Sequence, residues 1–220
     1  MTIDHAGMMF LSYGTAAYTI ARGIGRIAFP VYCFLLVEGL FHTSNRKAYL
    51  SRLLAFALIS EIPFDMALYH FPQVTNLSIL SGHQNVFFTL TLGFLAMCLI
   101  EKYRDKGPFV SAIIGIGCMF LAEFLQTDYS FIGVIVILLF YLYKHTCFSQ
   151  PALYRALLPM LPLLAYGNFC VLLAVPILAL YNGQKGSVLP NGREIPAAKY
   201  FFYVYYPLHL TILSVIYYFI

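Results

Sequence analysis

Long apolar runs separated by short polar turns repeat along the whole of this 220-residue chain. A helix that crosses a bilayer needs about 20 apolar residues, or somewhat fewer where the turns are short. The runs predict helices at 3–19, 27–42, 47–69, 84–102, 108–126, 129–144, 152–166, 168–181 and 200–219. The pattern lacks the alternating segments of a closed barrel. We therefore predict an all-α, polytopic membrane protein with about nine transmembrane helices in one integral domain, 1–220.

Two places in this pattern leave the number of helices open. The segment 152–181 is either two short helices divided at Gly167-Asn168, which we favour, or one bent helix, for eight in all; it is interrupted by Pro159, Pro162 and Pro176. The first run reaches Asp4-His5 directly after Met1-Thr2-Ile3, with no apolar approach before it. We therefore expect the first helix to be truncated.

The composition agrees with a membrane protein and narrows the functions that fit. Hydrophobic residues make up 61% of the chain and charged residues 10%, whereas about a quarter of a soluble domain is charged. The net charge of +4 is spread over several turns, so it argues for topology rather than nucleic-acid binding. The five cysteines are scattered, without a C-x-x-C pair. We predict a lipid bilayer as the surroundings, with neither nucleic acid nor a metal bound.

Lysine and arginine predict the topology, because they favour cytoplasmic turns. They occur in the turns at 42–52, 102–106, 144–155 and 182–199, whereas the turns near 70–83 and 127–128 hold none. With nine helices this places the N-terminus in the cytoplasm and the C-terminus outside. Arg22 and Arg26 then fall on the outer side, against the rule, which suggests that they have another role.

The densest polar cluster of the chain combines Asp4-His5 with these two arginines. Ionisable groups at membrane depth are costly and usually functional. Arg22 and Arg26 are four residues apart and share a face if their segment is helical. A guanidinium is suited to carboxylate or phosphate. The alternative is structural: Asp4 and His5 lie in water, and the arginines are interfacial anchors.

Further polar pairs lie four residues apart on the next two helices, Glu38 with His42 and Glu61 with Asp65. Their carboxylates should not face lipid. We expect Glu38, Glu61 and Asp65 to pair with the arginines and to line one cavity with the Asp4-His5 pair, among the first three helices. Binding of a substrate amine is the alternative role for these acids.

Two later segments carry further candidates. The turn Tyr181-Asn182-Gly183-Gln184-Lys185-Gly186 is basic, glycine-hinged and predicted to be cytoplasmic, so it is either a nucleotide phosphate site or a plain exposed turn. His209 lies in the last helix, after Tyr206-Pro207-Leu208. Zinc triads, nucleophile elbows and phosphate loops are missing from the sequence. An enzyme of this kind must therefore rely on histidine and acids within a helical bundle.

Spaced blocks over nearly the whole chain resemble the TraX family. They are Ile3-Asp4-His5-Ala6-Gly7, Gly25-Arg26-Ile27-Ala28-Phe29-Pro30, Glu38-Gly39, His42-Thr43, Tyr49 with Arg52-Leu53, Ser60-Glu61-Ile62-Pro63-Phe64-Asp65, Gln84-Asn85-Val86-Phe87-Phe88-Thr89, Asp128-Tyr129, Tyr181-Asn182-Gly183 with Gly186, and Lys199-Tyr200 through Tyr206-Pro207-Leu208-His209-Leu210. Members of that family usually carry an apolar half-helix before the Asp-His pair, which this sequence lacks. The resemblance implies a bacterial cytoplasmic-membrane protein that transfers an acetyl group from acetyl-CoA to an amine, such as a pilin or peptide N-terminus.

On this resemblance we form one mechanistic hypothesis. His5, helped by Asp4, acts as general base on the acceptor amine. Arg22 and Arg26 steady the oxyanion or orient the acids. The expected cofactor-binding residues are Tyr181, Asn182, Gly183, Lys185, Gly186 and His209. An acyl-histidine intermediate is a variant of this mechanism, and an ion- or proton-coupled transporter or a non-catalytic assembly factor are the rival functions.

Overall fold

The computed structural model describes residues 1–69, 82–146, 151–182 and 198–220, and the elements in these ranges are helices. The α-helices are α1 (Thr2–Phe10), α2 (Ala16–Gly25), α3 (Ala28–His42), α4 (Arg46–Tyr69), α5 (Val86–Lys102), α6 (Pro108–Phe124), α7 (Ser130–Thr146), α8 (Ala152–Leu157), α9 (Ala174–Ala179) and α10 (Ala198–Phe219). Three 3₁₀ helices cover Arg104–Lys106, Leu158–Tyr166 and Phe169–Leu173. The predicted all-α class is confirmed. Six predicted helices agree with the structure to within a few residues: 27–42, 47–69, 84–102, 108–126, 129–144 and 200–219.

The predicted first helix, 3–19, is wrong, because the chain turns back between α1 and α2. Gly14 has φ +84°, a left-handed conformation that glycine adopts without steric cost. Thr15 then caps α2, since its side-chain oxygen accepts a hydrogen bond from the Tyr18 backbone N–H at 3.2 Å. The segment that carries Arg22 and Arg26 is consequently a helix, as their shared face requires.

The interrupted segment 152–181 forms two short helical halves rather than one bent helix. The first half is α8 with the 3₁₀ helix Leu158–Tyr166, and it ends at Gly167, which is left-handed with φ +71°. Asn168 starts the second half by accepting a hydrogen bond from the Cys170 backbone N–H at 2.9 Å. Pro159 and Pro162 lie in the 3₁₀ helix Leu158–Tyr166, where their missing N–H groups interrupt regular α-helical hydrogen bonding.

The helices pack around an apolar core that includes Phe94, Met97, Ile137 and Leu210. Helix α4 lies against α5 and α10, and α7 contacts α3, α5 and α6. Helix α1 packs on α2 and touches α10, which joins the two ends of the chain. The outward face of α6 is also apolar, with Ile116 64% and Phe120 72% exposed. Such a face is typical of a surface that contacts lipid or another protein.

Two helical stretches are long and apolar enough to cross a membrane by length and composition, Ala16–His42 with 27 residues and Tyr200–Phe219 with 20. Four shorter apolar helical stretches lie at Pro108–Phe124, Ser130–His145, Ala152–Tyr166 and Phe169–Ala179. The number of crossings and the orientation of the termini stay predictions.

Candidate active site between the first and last helices

Helices α1 and α2 form a close antiparallel hairpin that positions Asp4 and His5. The hairpin depends on small residues: a Cβ atom added to Gly7 would lie 2.6 Å from the Cβ atom of Ala21. A Cβ atom added to Gly25 would overlap the Asp4 side chain. The absence of side chains at these two glycines therefore lets the carboxylate of Asp4 lie against α2.

This packing brings Asp4 and Arg22 together as an ion pair. Arg22 Nη1 donates a hydrogen bond to Asp4 Oδ1 at 2.7 Å. Only 21% of the Arg22 side chain and 15% of the Asp4 side chain are exposed. A charge-assisted hydrogen bond in such a protected place fixes both side chains. The predicted proximity of Asp4 and Arg22 is thus present.

The second feature of the site is a hydrogen-bonded histidine pair. His5 Nδ1 lies 2.8 Å from His209 Nε2, and His209 Nδ1 lies 2.8 Å from the Tyr205 carbonyl oxygen. A carbonyl oxygen only accepts, so His209 Nδ1 carries the proton that it donates to Tyr205. In a neutral His209 ring Nε2 is then the acceptor, and His5 Nδ1–H is its donor. The lone pair of a neutral His5 therefore lies on Nε2, which makes no hydrogen bond within the described residues.

Arg26 does not join this ion pair directly but extends the polar cluster toward the turn before α7. Its Nη1 donates to the Tyr129 hydroxyl at 3.3 Å, and the Tyr129 ring stacks on Phe29 at 3.5 Å between centroids. The neighbouring Asp128 Oδ1 lies 3.4 Å from His83 Nε2 in the turn before α5. The hydrogen bond to Asp128 raises the pKa of His83.

Glu61 is buried, but its partner is not the one predicted. The Asn85 amide donates to Glu61 Oε2 and, at 2.8 Å, to the Ala57 carbonyl oxygen. These bonds tie α4 to the start of α5, where the Asn85 side chain also caps the helix. Asp65 is buried one turn later. The expectation that Glu61 pairs with an arginine is therefore wrong within the described residues.

Glu38 does not pair with the arginines as expected, because it belongs to a second cluster. Its carboxylate accepts hydrogen bonds from Lys144 Nζ and, at 3.3 Å, from the Tyr181 hydroxyl, and it lies 3.5 Å from His42 Nε2. Glu38 follows Arg26 by twelve residues, which is about 18 Å of helix. This distance excludes an ion pair between Glu38 and Arg26, and the two residues line different cavities.

This second cluster lines a cavity of about 420 Å³ between α3, α7, α8 and α9. Its walls include Phe34, Tyr143, Arg155 and Asn182 besides the Glu38 cluster. Aromatic rings beside basic groups are suited to a nucleotide, and the volume lies within the usual range for small-molecule sites. Tyr181 and Asn182 line this cavity as a cofactor site would require. The other predicted residues of that turn, Gly183, Lys185 and Gly186, lie outside the described residues.

His209 was grouped with these cofactor-binding residues, but it contacts His5 instead. Pro207 lies within α10 nearby, and His209 is buried beside the first helix, with 6% of its surface exposed. The roles of Lys144 as the partner of Glu38 and of Tyr129 as the partner of Arg26 were missed. In the sequence, Lys144 was informative only about topology, and Tyr129 appeared only as part of the Asp128-Tyr129 block.

The family described as TraX protein matches residues 1–217. The chain belongs to the TraX family. It is similar to the probable fimbrial assembly protein FimC, serogroup H1, of Dichelobacter nodosus, with 33% identity over 224 residues that cover 97% of this chain and 89% of the relative. No solved structure matches the chain.

The family match extends over both clusters of this TraX protein. It includes α1 with Asp4 and His5, α3 with Glu38 and α10 with His209. The residues of both clusters therefore lie within the matched range.

Proposed function

We propose that this TraX-family protein is a membrane-embedded acyltransferase that transfers an acetyl group from acetyl-CoA to an amine. The observation that supports the proposal best is the histidine pair, because it directs the lone pair of His5 to an atom that is available for a proton. The resemblance of the sequence to an acetyl-transferring family supplies the reaction class.

His5 is the general base of this proposal. An amine attacks a thioester only after losing its charge, and Nε2 of His5 accepts the proton that the nitrogen releases as its bond to the acetyl carbon forms. His5 then returns the proton to the sulfur as the carbon–sulfur bond breaks. His209 holds the ring in the required tautomer, and the Asp4–Arg22 ion pair holds α1 in place.

Arg26 is the candidate for stabilising the oxyanion. Arg22 is committed to Asp4, whereas Arg26 uses one of its N–H donors on Tyr129 and carries others. Preorganised donors of this kind commonly contribute a large part of the rate enhancement of acyl transfer.

Acetyl-CoA supplies the activated thioester, and the 420 Å³ cavity is its candidate nucleotide site. Arg155 fits a phosphate group, as does Lys144 through the N–H donors that it does not use on Glu38, and Phe34 and Tyr143 fit an aromatic base. The rings of Tyr32 and Phe202 contact each other at 5.8 Å. From this contact, Glu38 lies six residues along α3 toward one end of the bundle. His209 lies seven residues along α10 toward the other end. At about 1.5 Å per residue, Glu38 and His209 are therefore about 20 Å apart along the helices. The extended arm of CoA is suited to such a separation.

The bilayer and the acceptor complete the proposal. The apolar outward face of α6 and the two long apolar stretches support a multi-pass protein of the cytoplasmic membrane. The relative's name concerns fimbrial assembly, so we propose the N-terminus of a fimbrial subunit or another peptide as the acceptor. A non-catalytic assembly factor is the competing function that this name also favours.

The deciding experiment measures acetyl transfer by the purified protein in detergent, with labelled acetyl-CoA and a peptide amine. We expect His5→Ala to lower the rate by about 10²- to 10⁴-fold. His145→Ala is the matched control, since His145 contacts Glu101 rather than the His5 cluster. Retained activity in His5→Ala would remove His5 from its role.

A binding measurement separates the enzyme from the assembly factor. We expect CoA to raise the unfolding temperature of the wild type, because a ligand stabilises the folded state that it binds, and we expect Lys144→Gln to reduce this effect. Absence of both CoA binding and acetyl transfer would favour the assembly factor. Mass spectrometry of fimbrial subunits from cells with and without the gene would then identify the acceptor.

A further inference from the structure

Arg52 lies in a cavity that neither cluster uses. The cavity has a volume of about 200 Å³ and is lined by residues of α3, α4, α5 and α10. Its walls combine apolar side chains with three tyrosines, Tyr32, Tyr49 and Tyr203. The guanidinium carbon of Arg52 lies 5.5 Å from the centroid of the Tyr49 ring. Across the ranges that the structure describes, no carboxylate forms an ion pair with this arginine.

Two hydrogen-bond donors of this cavity lack an acceptor. Arg52 Nε and the Tyr203 hydroxyl are both buried, and neither makes a hydrogen bond of normal geometry in the described part of the chain, although the Arg52 and Tyr203 side chains interact with each other. Buried donors nearly always find a partner, and the partly buried guanidinium that carries one of these two has no carboxylate beside it in the described residues. Two such donors in one cavity, one of them positively charged, indicate a ligand with several acceptor oxygens and a negative charge.

We propose that this cavity binds the phosphate group of a membrane phospholipid. Arg52 Nε–H donates to one phosphate oxygen and the Tyr203 hydroxyl to another, the pairing for which a guanidinium is suited. The cavity is rimmed by apolar side chains, since Leu35 is 37% and Phe202 47% exposed. Acyl chains on this rim place the headgroup at Arg52.

The position of Arg52 along the bundle agrees with a headgroup. Arg52 follows Arg46, the first residue of α4, by six residues, or about 9 Å of helix. It therefore lies near the end of the bundle that carries the basic turns. Anionic lipids attract such basic positions next to a membrane.

A lipid bound here would also support the candidate active site. Phe87 lines the cavity and packs edge-on against Tyr206 at 5.2 Å, and Tyr206 packs edge-on against His5 at 6.1 Å. The inference goes beyond acetyl transfer and does not depend on it, because binding is measured without any reaction.

Native mass spectrometry of the detergent-purified protein tests this proposal. Phosphatidylglycerol is titrated in parallel with diacylglycerol that carries the same acyl chains, so that only the headgroup differs. We expect the wild type to bind phosphatidylglycerol preferentially. Arg52→Gln should weaken that binding about 10- to 100-fold and Tyr203→Phe about tenfold, which are the effects of losing a charged and a neutral hydrogen bond. Arg46→Gln, on the same helix and paired with Glu101, should leave it unchanged.

Tyr203→Phe keeps the test independent of folding, because it removes one unmatched hydroxyl and should not lower the unfolding temperature. Equal binding of the two lipids by the wild type, or undiminished phosphatidylglycerol binding by Tyr203→Phe, would overturn the proposal. Inorganic phosphate and CoA are tested as soluble ligands of the same cavity, and their binding is measured as a rise in the unfolding temperature. Saturable binding of either that depends on Arg52, without a preference for phosphatidylglycerol, would assign the phosphate to a soluble ligand and overturn the phospholipid.

Discussion

His5 Nδ1 and His209 Nε2 lie 2.8 Å apart although 204 residues separate them in the sequence. The contact joins the first helix to the last. It also determines the chemistry of the first histidine, because the Tyr205 carbonyl oxygen sets the tautomer of His209 and His209 sets that of His5. The position of the lone pair on Nε2 of a neutral His5 is thus a consequence of a backbone carbonyl on the opposite helix.

The first prediction is that His209 acts as a positioning residue. His209→Leu removes the acceptor for His5 Nδ1–H, whereas the amide oxygen of His209→Gln can still accept that bond. We expect acetyl transfer to fall about tenfold or more in His209→Leu and less in His209→Gln. Nitrogen-15 NMR of the labelled histidines should show that the proton leaves His5 Nδ1 only in the leucine variant. An unchanged His5 tautomer in both variants would contradict the inference that His209 sets the tautomer of His5.

The second prediction concerns the coupling between Asp4 and Arg22. Removing either partner leaves the other charge in a protected site, so each single variant should lose stability and the double variant should lose less than their sum. We expect a coupling free energy of about 0.5–3 kcal/mol from unfolding of Asp4→Asn, Arg22→Gln and the double variant. The pair Arg46–Glu101 is the control, because its atoms lie 4.0 Å apart and 43% of the Arg46 side chain is exposed, so it should couple by less than about 1 kcal/mol. Additive losses at Asp4 and Arg22 would show that their contact contributes no stability.

Helix positions could be predicted from the sequence where local chemistry ends the apolar runs. Asn85 caps α5 through its own side chain, and Pro108 lies in the first turn of α6, where a missing N–H costs little. The turn between α1 and α2 was not predicted, because Tyr13 and its neighbours continue the apolar run while Gly14 and Thr15 reverse the chain.

The candidate site could be predicted only in part. Asp4 and Arg22 were expected to be close, since both were anomalous for a membrane segment. The contact of His5 with His209 and that of Glu38 with Lys144 follow from the packing of helices that are distant in sequence. No spacing along the chain encodes such contacts, whereas four-residue spacing encodes only the face of a single helix.

The third prediction tests the close approach of α1 and α2. A methyl group at Gly25 would overlap Asp4, so Gly25→Ala should destabilise the fold by about 1–3 kcal/mol and separate the ion pair. Gly117→Ala is the matched control, because an added Cβ there meets nothing within 4 Å on α6. Alanine favours the helix there, so we expect the control to gain up to about 1 kcal/mol. Thermal unfolding of both variants in one detergent makes the comparison, and equal shifts would contradict the packing argument.

The last prediction concerns pH and the pair formed by His83 and Asp128 in the turns before α5 and α7. The hydrogen bond to Asp128 raises the pKa of His83 above its ordinary value of 6.5. A histidine whose pKa is higher in the folded state binds its proton more tightly there, so the protonated ring stabilises the fold. The contribution is complete below about pH 6.5 and is lost as the pH rises through the higher, folded-state pKa.

The free energy of unfolding should therefore fall across this window in the wild type. His83→Gln keeps a polar side chain without a titrating proton, so its stability should fall less over the same range. Chemical unfolding in detergent at about pH 6 and about pH 8 gives, for each protein, the change in the free energy of unfolding with pH. Asp128→Asn is a second control, because it removes the charge that holds the proton and should reduce the slope by a similar amount. Identical slopes in the wild type and both variants would show that the pair does not hold a proton in the folded state.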